Sequence, residues 1–141
     1  MAPAGTTLTI HDVRDVLLYD GDEDRNGPPA GVVALRDAVH RADGIIMFSP
    51  EYNSSLPAVT KNVIGWLSRE PSVWDSTGIT MISASPGGRA GIGVREHFSA
   101  IMERQAPREF ETLGFGRYGE RIDDDGNVTD ETTRSELAGF L

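Results

Sequence analysis

The sequence predicts an α/β chain with a parallel sheet and helices packed on its faces. Three observations carry this. Short apolar runs alternate with stretches whose apolar residues recur at helical spacing, along nearly all of the 141 residues. The apolar run at residues 43–49 is continuous rather than alternating, which is how a strand covered on both sides reads. Two distinctive loops, one polar and one rich in glycine, each follow directly on such a run. In a parallel sheet, loops at the carboxyl ends of strands share one rim, where ligands bind.

The elements follow in order. Residues 6–12, "TTLTIHD", are short, rich in Thr and Ile and alternating, and predict a strand. Residues 20–29, "DGDEDRNGPP", are dense in Asp, Gly, Asn and Pro and predict a loop. Pro28 or Pro29 suits a helix start. The following "AGVVALRDAVHRA" sets Val32, Leu35 and Val39 on one helical face, with Val33 alongside. Residues 43–49 form the second predicted strand. A helix over 57–68 turns Val59, Val63, Ile64 and Leu67 inward. Residues 77–85, "TGITMISAS", give a third strand, and 86–93, "PGGRAGIG", a glycine-rich loop. A helix over 94–105 carries Val94, Phe98, Ile101 and Met102 on one face. A strand is expected over 108–116 and a turn over 123–127. Asp130 caps a final helix that runs to residue 141.

Composition narrows the function. The length suits one domain, 1–141, large enough to bury a core without disulfides or metal. There is no cysteine, which removes disulfides, thiolate nucleophiles and cysteine-based metal sites, and fits a cytoplasmic setting. With 22 acidic and 13 basic residues the net charge is -9, against the basic field that nucleic-acid binding needs. No apolar run approaches the ~20 residues of a membrane helix. The start, "MAPAGTTLTIHD", does not read as a signal peptide.

The candidate chemistry lies in the two loops. Pro50, Glu51, Tyr52 and Asn53 can be an ordinary strand-to-helix link. They can also face a ligand: a proline after a strand leaves backbone groups unpaired, a Tyr can cover a flat ring, and an Asn both donates and accepts. Ser85, Pro86, Gly87 and Gly88 can be a plain turn. Equally, the glycines let backbone approach a ligand closely. No Gly-Lys-Ser/Thr follows, so this is not a P-loop. His11, His40 and His97 lie on separate elements without metal-ligand spacing. Ser49, Ser54, Ser55 and Ser85 have no base identifiable in the sequence, and there is no nucleophile elbow. Asp123, Asp124 and Asp125 resemble part of a calcium loop, but the twelve-residue pattern is incomplete and a turn is the better reading. Trp66 reads as core; Trp74, in a connecting segment, could cover a subunit interface.

These residues carry a family resemblance. "SPEYNSSLPAVTKNVIGWLSR", with Lys61, Asn62, Trp66, Leu67, Ser68 and Arg69 in register, resembles the signature of the NAD(P)H-dependent FMN reductases of flavodoxin-like fold, the group of chromate and quinone reductases. "ASPGGRAGIGVREHF" resembles the family's second flavin loop, and "DDDGNVTDETTR" its final turn and helix. The likeness runs from about Thr6 to Leu141.

The resemblance implies a three-layer flavodoxin-like parallel sheet. It implies FMN as cofactor and NADPH or NADH as hydride donor. Electrons then pass by a ping-pong scheme to a quinone, a second flavin or another small acceptor. Pro50, Glu51, Tyr52 and Asn53 would contact the ring and ribityl chain, with Ser85, Pro86, Gly87 and Gly88 on the other side. The flavin carries the chemistry, so no protein acid, base or nucleophile is implied. A homodimer or homotetramer is expected. The chain departs from the pattern at its start: the family's first strand, phosphate loop and first helix have no counterpart, and only "MAPAG" precedes residues 6–12. The expected sheet is therefore N-terminally truncated, with about four strands recognised, and riboflavin should bind about as well as FMN. The alternative function is a flavin-free, flavodoxin-like module that acts as a binding or oligomerisation partner.

Overall fold

The computed structural model describes residues 4–70, 72–105 and 109–140. Three strands form one sheet in the order β1-β2-β3: β1 Gly44–Phe48, β2 Gly78–Ser85 and β3 Phe110–Gly116. Both pairings are parallel, with Phe48 opposite Ile82 and Ser85 opposite Gly116. Among the described residues six α-helices accompany them: α1 Gly21–Asn26, α2 Ala30–His40, α3 Ala58–Leu67, α4 Ser72–Ser76, α5 Ile92–Gln105 and α6 Glu131–Phe140. Among the described residues no helix is long and apolar enough to cross a membrane.

Why these residues build these elements is visible in the core. Val32, Leu35 and Val39 of α2 are buried at the spacing expected of one helical face. They join Val63, Ile64, Trp66 and Leu67 of α3, Ile79 and Met81 of β2, and Val94, Phe98 and Met102 of α5 in one cluster. Phe98 meets Phe110 edge-on, with centroids 6.5 Å apart, which seats α5 on β3. β2 has a strand on either side and is the most buried of the three. Pro57 precedes α3 and Pro29 precedes α2, each as the residue flanking the first turn.

Several expectations need correction. Residues 6–12 form no strand; all are exposed, with Leu8 55% and Ile10 97% exposed. Their alternation suits a strand, but among the described residues no partner strand pairs with them, and an unpaired strand has no ladder to hold it. Among the described residues three strands are therefore present where about four were expected. The 20–29 loop contains α1. Asp20 accepts a hydrogen bond from the Asp22 amide (2.7 Å), and Asp22, Glu23 and Asp24 fill the acidic first turn. Capping chemistry outweighs the turn-like composition here. β1 is not buried on both faces: Ile45, Ile46 and Met47 are half-buried and Phe48 is 73% exposed, and among the described residues β1 pairs with β2 alone. Val59, expected inward, is half-exposed at the start of α3. Trp74, which could have covered a subunit interface, lies on α4 and is buried within this chain's own core. Arg108 of the fourth predicted strand and Leu141 of the last helix lie outside the described residues.

The "KNVIGWLSR" segment has a structural task. Asn62 Nδ2 donates to Leu17 O (2.9 Å), and its Oδ1 accepts from Tyr19 N (2.8 Å). Trp66 Nε1 also donates to Leu17 O (2.7 Å). Helix α3 thereby straps down residues 16–19. Arg36 reinforces that side: Nη2 donates to Trp66 O (3.0 Å), and the guanidinium is ion-paired with Asp24 and Glu70.

Candidate functional site

The parallel register brings the two loops to one rim, at the carboxyl ends of β1 and β2. Ser49 N donates to Ile82 O (3.0 Å), so the first loop leaves the sheet beside β2. Tyr52 and Ser55 then exchange both backbone hydrogen bonds, at 3.1 and 2.9 Å. Asn53 and Ser54 sit at φ 51° and 58°, making a two-residue turn of the type that needs left-handed backbone at both positions. Asn tolerates that conformation better than most residues. The turn holds Tyr52 outward, 61% exposed, while Pro50 and Asn53 are also exposed.

Glu51 does not point to solvent with them. Its Oε2 accepts from the Gly93 amide (2.6 Å) and the Val94 amide (3.2 Å), in the first turn of α5. Those amides have no intrahelical acceptor, and a carboxylate suits the positive end of the helix dipole. Gly93 is required at this contact, since a Cβ there would stand 2.5 Å from Ser54 O. A third tie is Ser55 Oγ with His97 Nδ1 at 2.7 Å. Ser55 thus has a base partner that the sequence did not reveal. Among the described residues no carboxylate bonds His97 to complete a triad, and the pair serves to fasten the turn to α5.

The glycine-rich loop is shaped from below. Ser83 Oγ donates to Ala90 O (2.7 Å), and Ser85 Oγ donates to Gly87 O (2.9 Å). Gly91 has φ +66°, and a Cβ there would meet Ser83 Oγ at 2.7 Å. Gly116, at the end of β3, lies so close beneath the loop that a Cβ would stand 3.0 Å from both Gly87 O and Gly88 O. The Arg117 amide donates to Gly87 O (3.0 Å). On its outer side the loop is open: a Cβ at Gly87 would meet nothing within 4 Å, and Pro86, Gly87 and Gly88 are exposed, with Ser85 half-buried.

The candidate residues therefore lie on two loops that α5 joins, with Ser85 as the last residue of β2 at the start of the second. Sequence reasoning missed the tie itself, the Ser55–His97 pair and the position of Arg117. Asp123, Asp124 and Asp125 lie elsewhere, in a turn where Asp123 Oδ1 accepts from the Asn127 amide (2.7 Å). The Asn127 side chain first, and that amide bond after it, hold the Asp123 carboxyl below its ordinary range.

Residues 1–107 match the family model described as NADPH-dependent FMN reductase. A quinone reductase of Pseudomonas putida is 31% identical over 149 residues, covering 100% of this chain and 77% of the relative. An NADPH:quinone oxidoreductase of Arabidopsis thaliana is 32% identical, covering 97% of this chain and 72% of the relative. Among solved structures, the flavoenzyme NAD(P)H:(acceptor) oxidoreductase FerB of Paracoccus denitrificans superposes with a TM-score of 0.74 at 26% identity, covering 92% of this chain and 73% of that one. With most of its length matched by the family model and the sheet in place, this chain belongs to the NADPH-dependent FMN reductase family: a flavodoxin-like, FMN-dependent NAD(P)H oxidoreductase.

Proposed function

We propose that this chain passes electrons from NAD(P)H through FMN to a quinone, with the flavin ring seated between the 50–55 turn and the 85–88 loop. The observation that carries the site is the Glu51 clasp on α5, which holds both loops at one rim in fixed relation. The residues present fit a flat ring. Tyr52 offers an exposed aromatic face on a rigid turn, and Gly87 leaves open space where backbone can approach. When bound, FMN supplies the hydride acceptance and electron release.

The protein's own part is positioning. Pro50 ends β1 pairing and directs the chain across the rim. Asn53 both shapes the turn and offers an amide to the ring's polar edge. Glu51 acts through the loop it holds. Ser85, Pro86, Gly87 and Gly88 approach from β2, with the Ser85 hydroxyl fixing the loop by its bond to Gly87 O. No side chain is asked to act as acid, base or nucleophile. The quinone acceptor is the reading supported by the relatives' names, and small flat acceptors suit a site open to solvent on one side.

Purified protein should be yellow or become so on adding FMN, and should oxidise NAD(P)H only when a quinone is present to turn it over. Protein that takes up neither FMN nor riboflavin would defeat this reading and leave a flavin-free binding module. A homodimer or larger assembly belongs to the same proposal, supported by the exposed apolar residues Phe48, Leu8 and Ile10. Light scattering at micromolar concentration checks it, and a clean monomer refutes it.

A further inference from the structure

We propose that Arg117 is a charge placed to tune the flavin: it stands beside the ring-facing glycine loop and stabilises the negative charge that the flavin gains on reduction. The inference rests on the function proposed above. Arg117 follows directly on β3, and its amide is clipped to Gly87 O (3.0 Å). Its Nε lies 4.0 Å from where a Cβ on Gly88 would stand. The side chain is exposed, and among the described residues no hydrogen bond or ion pair engages its guanidinium. Its neighbour Arg121 is a contrast. That guanidinium is committed to Gly116 O (2.9 Å), Asp130 (3.2 Å) and Thr133 (2.7 Å). In a chain of net charge -9, a free cation held against the candidate cofactor loop is conspicuous.

The backbone points the same way. Arg117 sits at φ 52° and ψ 46°, the left-handed region. That conformation is costly for a side chain with a Cβ and is normally given to Gly or Asn. Strain of this kind gathers at functional sites. A glycine would meet the turn without that cost, and the arginine adds to the same position a cationic side chain.

The chemistry balances simply. NAD(P)H gives up a hydride, two electrons with one proton, and becomes NAD(P)+. The flavin ring that accepts it carries one added negative charge, spread over its pyrimidine half. A cation beside that charge favours the reduced form and so raises the reduction potential. The oxidised ring is neutral, so Arg117 should contribute little to its binding.

The test is the midpoint potential of the bound flavin, read by reductive titration against a reference dye. Wild type, Arg117→Lys, Arg117→Ala, Arg117→Glu and Arg117→Gly are compared, with flavin affinity measured in parallel. Arg117→Ala should lower the potential and Arg117→Glu should lower it further, by about 30 mV, a tenfold change in a two-electron equilibrium. Arg117→Lys should stay near wild type, and oxidised-flavin affinity should change less than about twofold across the set. The shift should shrink at high salt, as it must for an exposed charge. Arg117→Gly should raise the denaturation midpoint while lowering the potential, which separates the tuning from a structural role. An unchanged potential in Arg117→Glu overturns the proposal. So does a weakened KM for NADPH alone at unchanged potential, which would make Arg117 a reader of the donor's phosphate. Wild-type protein that binds no flavin defeats the proposed function itself, a distinct outcome.

Discussion

Removing the Glu51 carboxylate should loosen both the fold and the cofactor site. The carboxylate accepts two amides of the α5 first turn, at 2.6 and 3.2 Å, and closes the contact between the 50–55 turn and Gly93. Hydrogen bonds to a charged group contribute about 1.5–3 kcal/mol, and the longer of the two belongs at or below that floor. Interaction with the helix N-terminus adds roughly 0.3–1 kcal/mol. Gly93 and Val94 are buried, so their amides gain no full compensation from water. Glu51→Ala should therefore cost about 2–4 kcal/mol. For a domain of this size that is a fall in Tm of about 6–12 °C. Glu51→Gln retains an oxygen acceptor without the charge and should lose about half as much, since charge-assisted bonds are roughly twice as strong as neutral ones. Urea denaturation gives the stability, and flavin fluorescence titration gives the affinity. FMN should bind at least about tenfold more weakly to Glu51→Ala, because the ring-facing turn is no longer held. Gly93→Ala attacks the same contact from the other side and should produce the same paired loss. A Glu51→Ala protein within about 0.5 kcal/mol of wild type would show that the clasp contributes nothing and refute the reasoning.

Two further outcomes follow from named contacts. Tyr52→Ala removes a side chain that is 61% exposed, so stability should hardly change. FMN affinity should fall about three- to tenfold, the worth of one aromatic contact, and equal titration curves would take Tyr52 out of the site. Asp130 caps α6 by accepting from the Thr133 amide (2.8 Å) and hydroxyl (2.6 Å). These bonds, the Thr133 hydroxyl first, hold its carboxyl below the ordinary value of 3.8, with Arg121 adding to the effect. A depressed folded-state pKa gives stability that is complete above the ordinary value and lost as pH falls through the lowered one. The Tm advantage of wild type over Asp130→Asn should thus be flat above pH 3.8 and narrow below it; a gap constant down to the most acid folded pH would contradict the assignment.

Much of the architecture was legible because its signals are local. Helices α2, α3 and α5 show their buried faces in the spacing of Val32, Leu35 and Val39, of Val63 and Leu67, and of Val94, Phe98 and Met102. Asp130 announced its helix by type and position alone, and the structure puts its carboxylate on the Thr133 amide. The two candidate loops were legible for the same reason, as breaks after apolar runs. What joins them was not. Glu51 and Gly93 are 42 residues apart, as are Ser55 and His97, and no periodicity links such pairs. Arg117 was hidden differently. Its significance lies in a left-handed backbone and a neighbouring loop, neither of which its immediate sequence declares.

Residues 6–12 and β1 show where local pattern stops being sufficient. Period-2 alternation states that a segment can be a strand, with Leu8 and Ile10 on one side of it. It does not supply the ladder, and a strand without pairing has no net stability in water. In this fold Leu8 and Ile10 stay exposed. The continuous run Gly44–Phe48 made the opposite impression, of a strand enclosed on all sides. β1 does pair, but among the described residues on one edge only, and Phe48 remains 73% exposed at its end. An apolar run thus reports the burial its residues can tolerate, while the neighbours decide how much they receive. The same distinction separates Val59 from Val63 on α3: both fit the helical period, yet only Val63 is buried in the core. Pattern ranks the faces of an element, and the partners that the fold assembles around each face determine which of its apolar residues leave water.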